Sequence, residues 1–267
     1  MANTLYSLSR SAANNKSDVL KGTPHDDALH GSLGHTTFYG GLGDDIYYSK
    51  NADDTIVEYA NEGNDTVYAD TTFTLPTHVE NLTLEGNGNT FGFGNNSNNI
   101  LIGNSGNNRL SGEEGNDFLY GMGGNDTLSG GNGNDHLNGG DGDDYLAGGL
   151  GSDTIITGAG RDTVAFTAAD IREGSIDRVV EFDPNTDKLD LSGMRSLLTG
   201  SNANLSWSKM FVDKDPEVIL QKTVLISSLI QSSRLLLIVQ QVQAVAPFLP
   251  NSILAGWKHP ISSAKDP

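Results

Sequence analysis

The chain has 267 residues, no cysteine, and 34 acidic against 16 basic side chains, a formal net charge of −18. Residues 1–190 carry 30 acidic and 9 basic residues, whereas residues 191–267 carry 4 and 7. The acidic part is thereby excluded as a partner for nucleic acid or an anionic membrane surface, and disulfides and thiolate metal sites are excluded throughout.

Residues 1–21 read as a polar leader or a partial cap, without the apolar run of about 7–15 residues that marks a secretory signal. From Gly22 a nine-residue frame begins: GTPHDDALH, GSLGHTTFY, GGLGDDIYY, SKNADDTIV. Its sixth positions are Asp27, Thr36, Asp45 and Asp54, and its eighth are Leu29, Phe38, Tyr47 and Ile56. This first repeat block spans 22–67, with a slip of two residues before Asp65. Residues 68–93 alternate apolar and polar side chains around Pro76 as two strands and a turn, a repeat-poor β linker coil.

The main block spans 94–165. It opens with GNNSNNILI and GNSGNNRLS, where Asn99 and Asn108 hold position six and make a calcium-poor start. Six uninterrupted units follow: GEEGNDFLY, GMGGNDTLS, GGNGNDHLN, GGDGDDYLA, GGLGSDTII and TGAGRDTVA. Their sixth positions are Asp117, Asp126, Asp135, Asp144, Asp153 and Asp162, and their eighth are Leu119, Leu128, Leu137, Leu146, Ile155 and Val164. Such a period, with glycine, aspartate and one apolar residue, is the signature of a calcium-binding parallel β-helix. The first six positions are expected to turn and the last three to form a short strand with one inward side chain.

Two units then make one coil, and residues eighteen apart stack at about 4.8 Å. Asp117, Asp135 and Asp153 fall on one edge, and Asp126, Asp144 and Asp162 on the other. Carboxylates at that separation repel by about 1 kcal/mol in water and several-fold more in a medium of lower dielectric. A hard cation with oxygen ligands turns the ladder into an attraction, so folding is expected to be coupled to several Ca2+ ions.

The stretch Gly130-Gly131-Asn132-Gly133-Asn134-Asp135-His136-Leu137 fits GGxGxDx(apolar)x, and on it the chain resembles the RTX (repeats-in-toxin) haemolysin-type calcium-binding β-roll family. The resemblance implies an all-β, right-handed parallel β-roll of nonapeptide repeats. It also implies calcium between successive turns, held by loop carbonyls and by position-six aspartates of units i and i+2. The pairs are Asp117 with Asp135, Asp126 with Asp144, Asp135 with Asp153, and Asp144 with Asp162. Carried over by position, the metal site comprises Asp27 and Asp45 in the first block. In the main block it comprises Gly112, Gly115, Asp117, Gly124, Asp126, Gly131, Gly133, Asp135, Gly140, Gly142, Asp144, Gly149, Gly151, Asp153, Gly160 and Asp162. Glu113, Glu114, Met122, Thr157 and Arg161 depart from the pattern at turn positions.

Beyond the repeats, residues 166–195 hold capping strands, Ile176–Phe182 and Asp187–Ser192, about an Asp183-Pro184-Asn185 turn. They resemble the segment that covers the open end of RTX rolls in serralysin-type proteases. Residues 196–267 form a divergent tail with only two of the 33 glycines, Gly200 and Gly256. Lys222 and Arg234 interrupt its apolar run, so a membrane-spanning helix is not expected, and an amphipathic helix or a poorly specified segment is. The closing residues Ser262–Pro267 lack the acidic-then-apolar ending usual for substrates of type I exporters.

No H-E-x-x-H or G-x-S-x-G motif is present, and the many G-x-G-x-x-G strings come from the repeat and open no helix. His25, His30 and His35 occupy different positions of their units, which reads as loop decoration, and His136 is expected to face solvent. The expectation is therefore a non-enzymatic, secreted, extracellular calcium-binding protein, exported by a type I secretion apparatus and folding on calcium outside the cell. Two alternatives stand beside it. One is the C-terminal module of a larger RTX exoenzyme. The other is a membrane-active effector, similar to a rhizobial nodulation signalling protein, touching lipid through residues 218–249.

Overall fold

One apolar side chain every nine residues, alternating between two sides of a coil, forces the strands into two parallel sheets facing across a narrow core. The computed structural model has this architecture, a β-solenoid of about eight turns. It describes residues 3–6, 18–167, 170, 175–193 and 217–222. The chain divides into units Met1–Leu225 and Ile226–Pro267, and every described residue belongs to the first.

Among the described residues, one sheet has eleven strands and takes every second strand of the chain, from Asn3–Tyr6 through His136–Asp141 to Glu217–Lys222. The opposite side is split between two sheets. Three strands, Asp18–Lys21, Thr36–Tyr39 and Thr55–Val57, form the first, and seven strands from Phe73–Thr74 to Lys188–Gly193 form the second. Every pairing is parallel except the last of the long sheet, where Glu217–Lys222 runs antiparallel to Ser175–Val180. That strand ends the parallel ladder, whose open edge would otherwise invite further pairing.

From Leu101 to Ile155 the core is one residue wide on each side, whereas Ala69, Leu75, Val79 and Leu84 widen it in the coils before and Phe166 in the coil after. In the long sheet Leu29, Tyr47, Val67, Leu82, Leu101, Leu119, Leu137, Ile155 and Val179 stand in consecutive register. All nine are fully buried. Facing them, Phe73, Gly92, Leu110, Leu128, Leu146, Val164 and Leu189 align in the seven-stranded sheet. Gly92 is the gap in that row, and a Cβ there would press on Leu82 and Leu110 at 2.9 and 3.0 Å. Leu82 and Leu84 thus fill the space that Gly92 leaves.

Several expected boundaries shift. Strands Asn3–Tyr6 and Asp18–Lys21 lie in the segment read as a leader, yet both pair with the first coil, at Asp27–His30 and Thr36–Tyr39. Five main-block strands are six residues long rather than three, whereas Ile100–Ile102 and Phe118–Tyr120 keep three. Thr127–Asn132, for example, covers positions seven to nine and the first three of the next unit. The ladder continues because Gly131 pairs in register with Gly149, so the turn shrinks to positions four to six. The two strands expected to meet about Asp183-Pro184-Asn185 do not pair with each other. Ser175–Val180 joins one sheet and Lys188–Gly193 the other, so the cap is a last coil of the roll. Residues 217–222 form a strand where a helix was considered, and residues 223–249 of the lipid-contact alternative lie outside the described residues.

Candidate calcium-binding ladders

Each coil turns at two edges, and at each edge the position-six residue is drawn inward by the apolar residue two places later. Its backbone N–H then points at the next coil. Asp117 N–H donates to Asp135 Oδ1 at 2.8 Å, and Asp135 N–H to Asp153 Oδ1 at 3.0 Å. On the other edge Asp126 N–H donates to Asp144 Oδ1 at 2.7 Å, and Asp144 N–H to Asp162 Oδ1 at 2.9 Å. All four aspartate pairs expected from the repeat are therefore brought together. Asp27 and Asp45 are joined in the same way at 2.7 Å.

The ladders run further than the repeats. Asp45 N–H donates to Asp65, twenty residues on, and Asp65 N–H to Glu80 Oε2, fifteen on. At the far end Asp153 N–H donates to Asp177 Oδ1 and Asp162 N–H to Asp187 Oδ1, across coils of 24 and 25 residues. Reading by the nine-residue period misses Glu80, Asp177 and Asp187. The spacing that finds them is an acceptor two residues before a core residue: Glu80 before Leu82, Asp177 before Val179, Asp187 before Leu189.

The glycines assigned with the aspartates lie at the turns and at the strand ends leading into them. All but Gly112 adopt positive φ. Gly133, at φ 136°, has no room for a side chain, because a Cβ would strike the carbonyl oxygen of Gly115 in the coil below. Glu113 and Met122 hold the same left-handed region at φ 78° and 76°, a conformation that non-glycine residues adopt at a cost of about 1–2 kcal/mol. Arg161 instead gains contacts, since its backbone N–H and its guanidinium both donate to Asp143, at 3.0 and 2.5 Å.

The carboxylates themselves are buried. Asp45, Asp117, Asp126, Asp144 and Asp162 are each at most 2% exposed and Asp65 is fully buried. One oxygen of each accepts the N–H of its neighbour, and Oδ2 of each has no hydrogen-bond partner. Burial pushes Asp45, Asp65, Asp117 and Asp126 up to about 7, against the lowering effect of the donated N–H. Asp162 rises to about 6 for the same reason, with Asp187 and Asp144 adding repulsion.

These orphan oxygens converge with carbonyl oxygens beside the position-one glycines. A Cβ on Gly112 would lie 2.6 Å from the carbonyl oxygen of Gly130 and closer still to Asp117 Oδ2. Gly121 borders Asp126 Oδ2 and the Gly139 carbonyl, and Gly139 borders Asp144 Oδ2 and the Thr157 carbonyl, in the same manner. Among the described residues no three His, Cys, Asp or Glu side chains close on one point. A metal here must combine carboxylate with backbone carbonyl, the oxygen-only donor set that calcium accepts. The residues fit calcium.

The asparagine rungs provide the contrast. Asn108 Oδ1 accepts the Asn104 N–H at 2.7 Å while its Nδ2 donates to the Thr90 carbonyl at 3.1 Å. Asn99 likewise donates to the Glu80 carbonyl at 3.1 Å. An amide supplies from within the donor that a carboxylate lacks. Replacing Asp126 by asparagine is accordingly expected to weaken calcium binding and to raise metal-free stability by about 1–3 kcal/mol, the cost of one orphaned buried acceptor. Calorimetric titration and the β signal remaining in chelator check the two halves, and a smaller remaining signal in the variant than in the natural chain would contradict the assignment.

Of the histidines, His30 stacks on Tyr48 with centroids 4.1 Å apart. His136, expected to be solvated, is half-buried, with ring centroids 5.5 Å from Phe118 and 6.3 Å from Tyr120. Neither belongs to the ladders.

No curated protein matches the chain. A family model, the RTX calcium-binding nonapeptide repeat (4 copies), matches residues 21–56, 93–128 and 129–164. The last two segments contain every aspartate of the main block, and the first contains Asp27 and Asp45. With parallel coils, stacked aspartates and orphan carboxylate oxygens in place, residues 21–56, 93–128 and 129–164 of this chain are RTX calcium-binding nonapeptide repeats.

Proposed function

We propose that the chain is a secreted, non-enzymatic β-roll that stays unfolded at cytosolic calcium and condenses outside the cell. The observation that carries this reading is the set of buried Oδ2 atoms without partners on Asp45, Asp65, Asp117, Asp126, Asp144 and Asp162. A folded chain that buries so many unneutralised carboxylates is unstable by itself. When bound, calcium supplies the positive charge that these oxygens lack. Anything that binds only the folded state stabilises it by mass action, and extracellular calcium modules work at about 10⁻⁴–10⁻³ M. The central ligands are Asp117, Asp126, Asp135, Asp144, Asp153 and Asp162 with carbonyls of their turns. Export by a type I apparatus accords with the family resemblance and with the absence of cysteine.

A circular-dichroism titration tests the reading. The β signal of the full chain is expected to be lost in chelator and to return in millimolar calcium. A β signal unchanged by chelator would overturn the coupling of folding to calcium.

A further inference from the structure

One residue breaks the pattern between the coils of Asp45 and Asp65. Position-one glycines elsewhere donate their N–H to a carbonyl in the next coil, as Gly22 does to Tyr39 and Gly31 to Tyr48. Gly40 donates instead to the side chain of Glu58, at Oε1 and 3.1 Å. Glu58 stands eighteen residues on, where the next position-one glycine belongs, and it is only 6% exposed. The Tyr47 hydroxyl donates to the same Oε1, whereas Oε2 has no partner. Asp45 Oδ2 enters the same space from the other side. A Cβ on Gly40 would lie 2.5 Å from Glu58 Oε1 and would also strike Asp45 Oδ2 and the Tyr47 hydroxyl.

We infer that Asp45 and Glu58, with the Tyr47 hydroxyl between them, form a cation site built from side chains, one that takes a hard divalent cation more tightly than the carboxylate-and-carbonyl cradles of the main block. The inference rests on the reading of the Asp45 cradle as a cation site and adds Glu58 to it. A second carboxylate replaces the neutral carbonyl of the regular cradle, and affinity for such cations rises with ligand charge. Asp65, one rung on and also carrying an unpartnered Oδ2, adds a third negative charge nearby. Glu58 Oε1 already accepts two donors, from the Gly40 N–H and the Tyr47 hydroxyl, and the Glu62 carboxylate lies against Glu58 as well, adding negative charge that a cation offsets. Lys50, the amine closest in sequence, is engaged with Asp70 and Glu85.

Terbium, a hard oxygen-seeking ion, serves as the probe, because a tyrosine beside a bound lanthanide sensitises its emission. In the full chain the first equivalent of terbium is expected to give tyrosine-sensitised emission that calcium competes away. Glu58→Gln keeps an acceptor for Gly40 and Tyr47 but removes the charge. It is expected to weaken that first phase at least tenfold while the later phases, from the main block, remain. Tyr47→Phe keeps both carboxylates and is expected to retain the binding in calorimetry but lose the emission. An unchanged first phase in Glu58→Gln, or undiminished emission in Tyr47→Phe, overturns the site while leaving the main-block reading intact. Absence of every phase in the natural chain overturns both.

Discussion

In chelator, the roll is expected to be more stable at pH 5 than at pH 8. Burial holds Asp45, Asp65, Asp117 and Asp126 at about 7 and Asp162 at about 6 in the folded chain, far above the 3.8 of a free aspartate. Between about pH 4 and 7 the folded chain therefore binds protons that the unfolded chain has released. Stability falls with pH wherever the folded state holds more protons, so each group opens a penalty above pH 4 that is complete above its folded value. Protons here stand in for the missing cation. With calcium present the dependence of binding reverses, because the ligands must lose those protons first, and affinity rises with pH up to about 7. The β signal that survives in chelator at the two pH values decides the matter, and a larger signal at pH 8 than at pH 5 would falsify the electrostatic account.

The second large effect is expected at Leu137. Its side chain is fully buried, in register between Leu119 and Ile155, in a core only one residue wide on each side. Truncation to alanine leaves a cavity that the neighbouring coils cannot close, because their spacing is set by backbone hydrogen bonds. A loss of about 2–5 kcal/mol is expected in the calcium-loaded protein. The outward Tyr145, 42% exposed, serves as the comparison, and its change to alanine is expected to stay within about 0.5 kcal/mol. Equal losses at the two positions in denaturant melts would contradict the one-residue core.

The main block was legible because its two signals, the aspartate at six and the apolar residue at eight, never slip from Asp117 to Val164. Legibility failed where only one signal survived. Glu80, Asp177 and Asp187 keep the two-residue spacing to the core but sit in coils of irregular length, so a fixed period passes over them. Asn3–Tyr6 and Asp18–Lys21 were hidden for another reason: Asp18 stands in register with Thr36 and two residues before Leu20, as a position-six residue should, but no glycine turn precedes either strand to announce the unit. Glu58 was invisible because a glutamate at a glycine position reads as a lost turn. Its role depends on a side chain that folds back into the space a glycine would leave open.

The hydrogen bonds at the turns also have a direction. Position-six amides donate toward the next coil, as from Asp117 to Asp135, whereas position-five amides donate back, as from Asn134 to Asn116 Oδ1 at 2.7 Å. At each edge every regular coil thus gives one such donor to each neighbour and receives one from each, and every seam between regular coils is the same. Nothing in such a seam records how many coils precede it. Gain or loss of eighteen residues leaves all remaining seams as they were, while gain or loss of nine exchanges the two edges. Length is a free variable of this architecture, quantised in whole coils, and the strand Glu217–Lys222 is where the count stops on the long sheet.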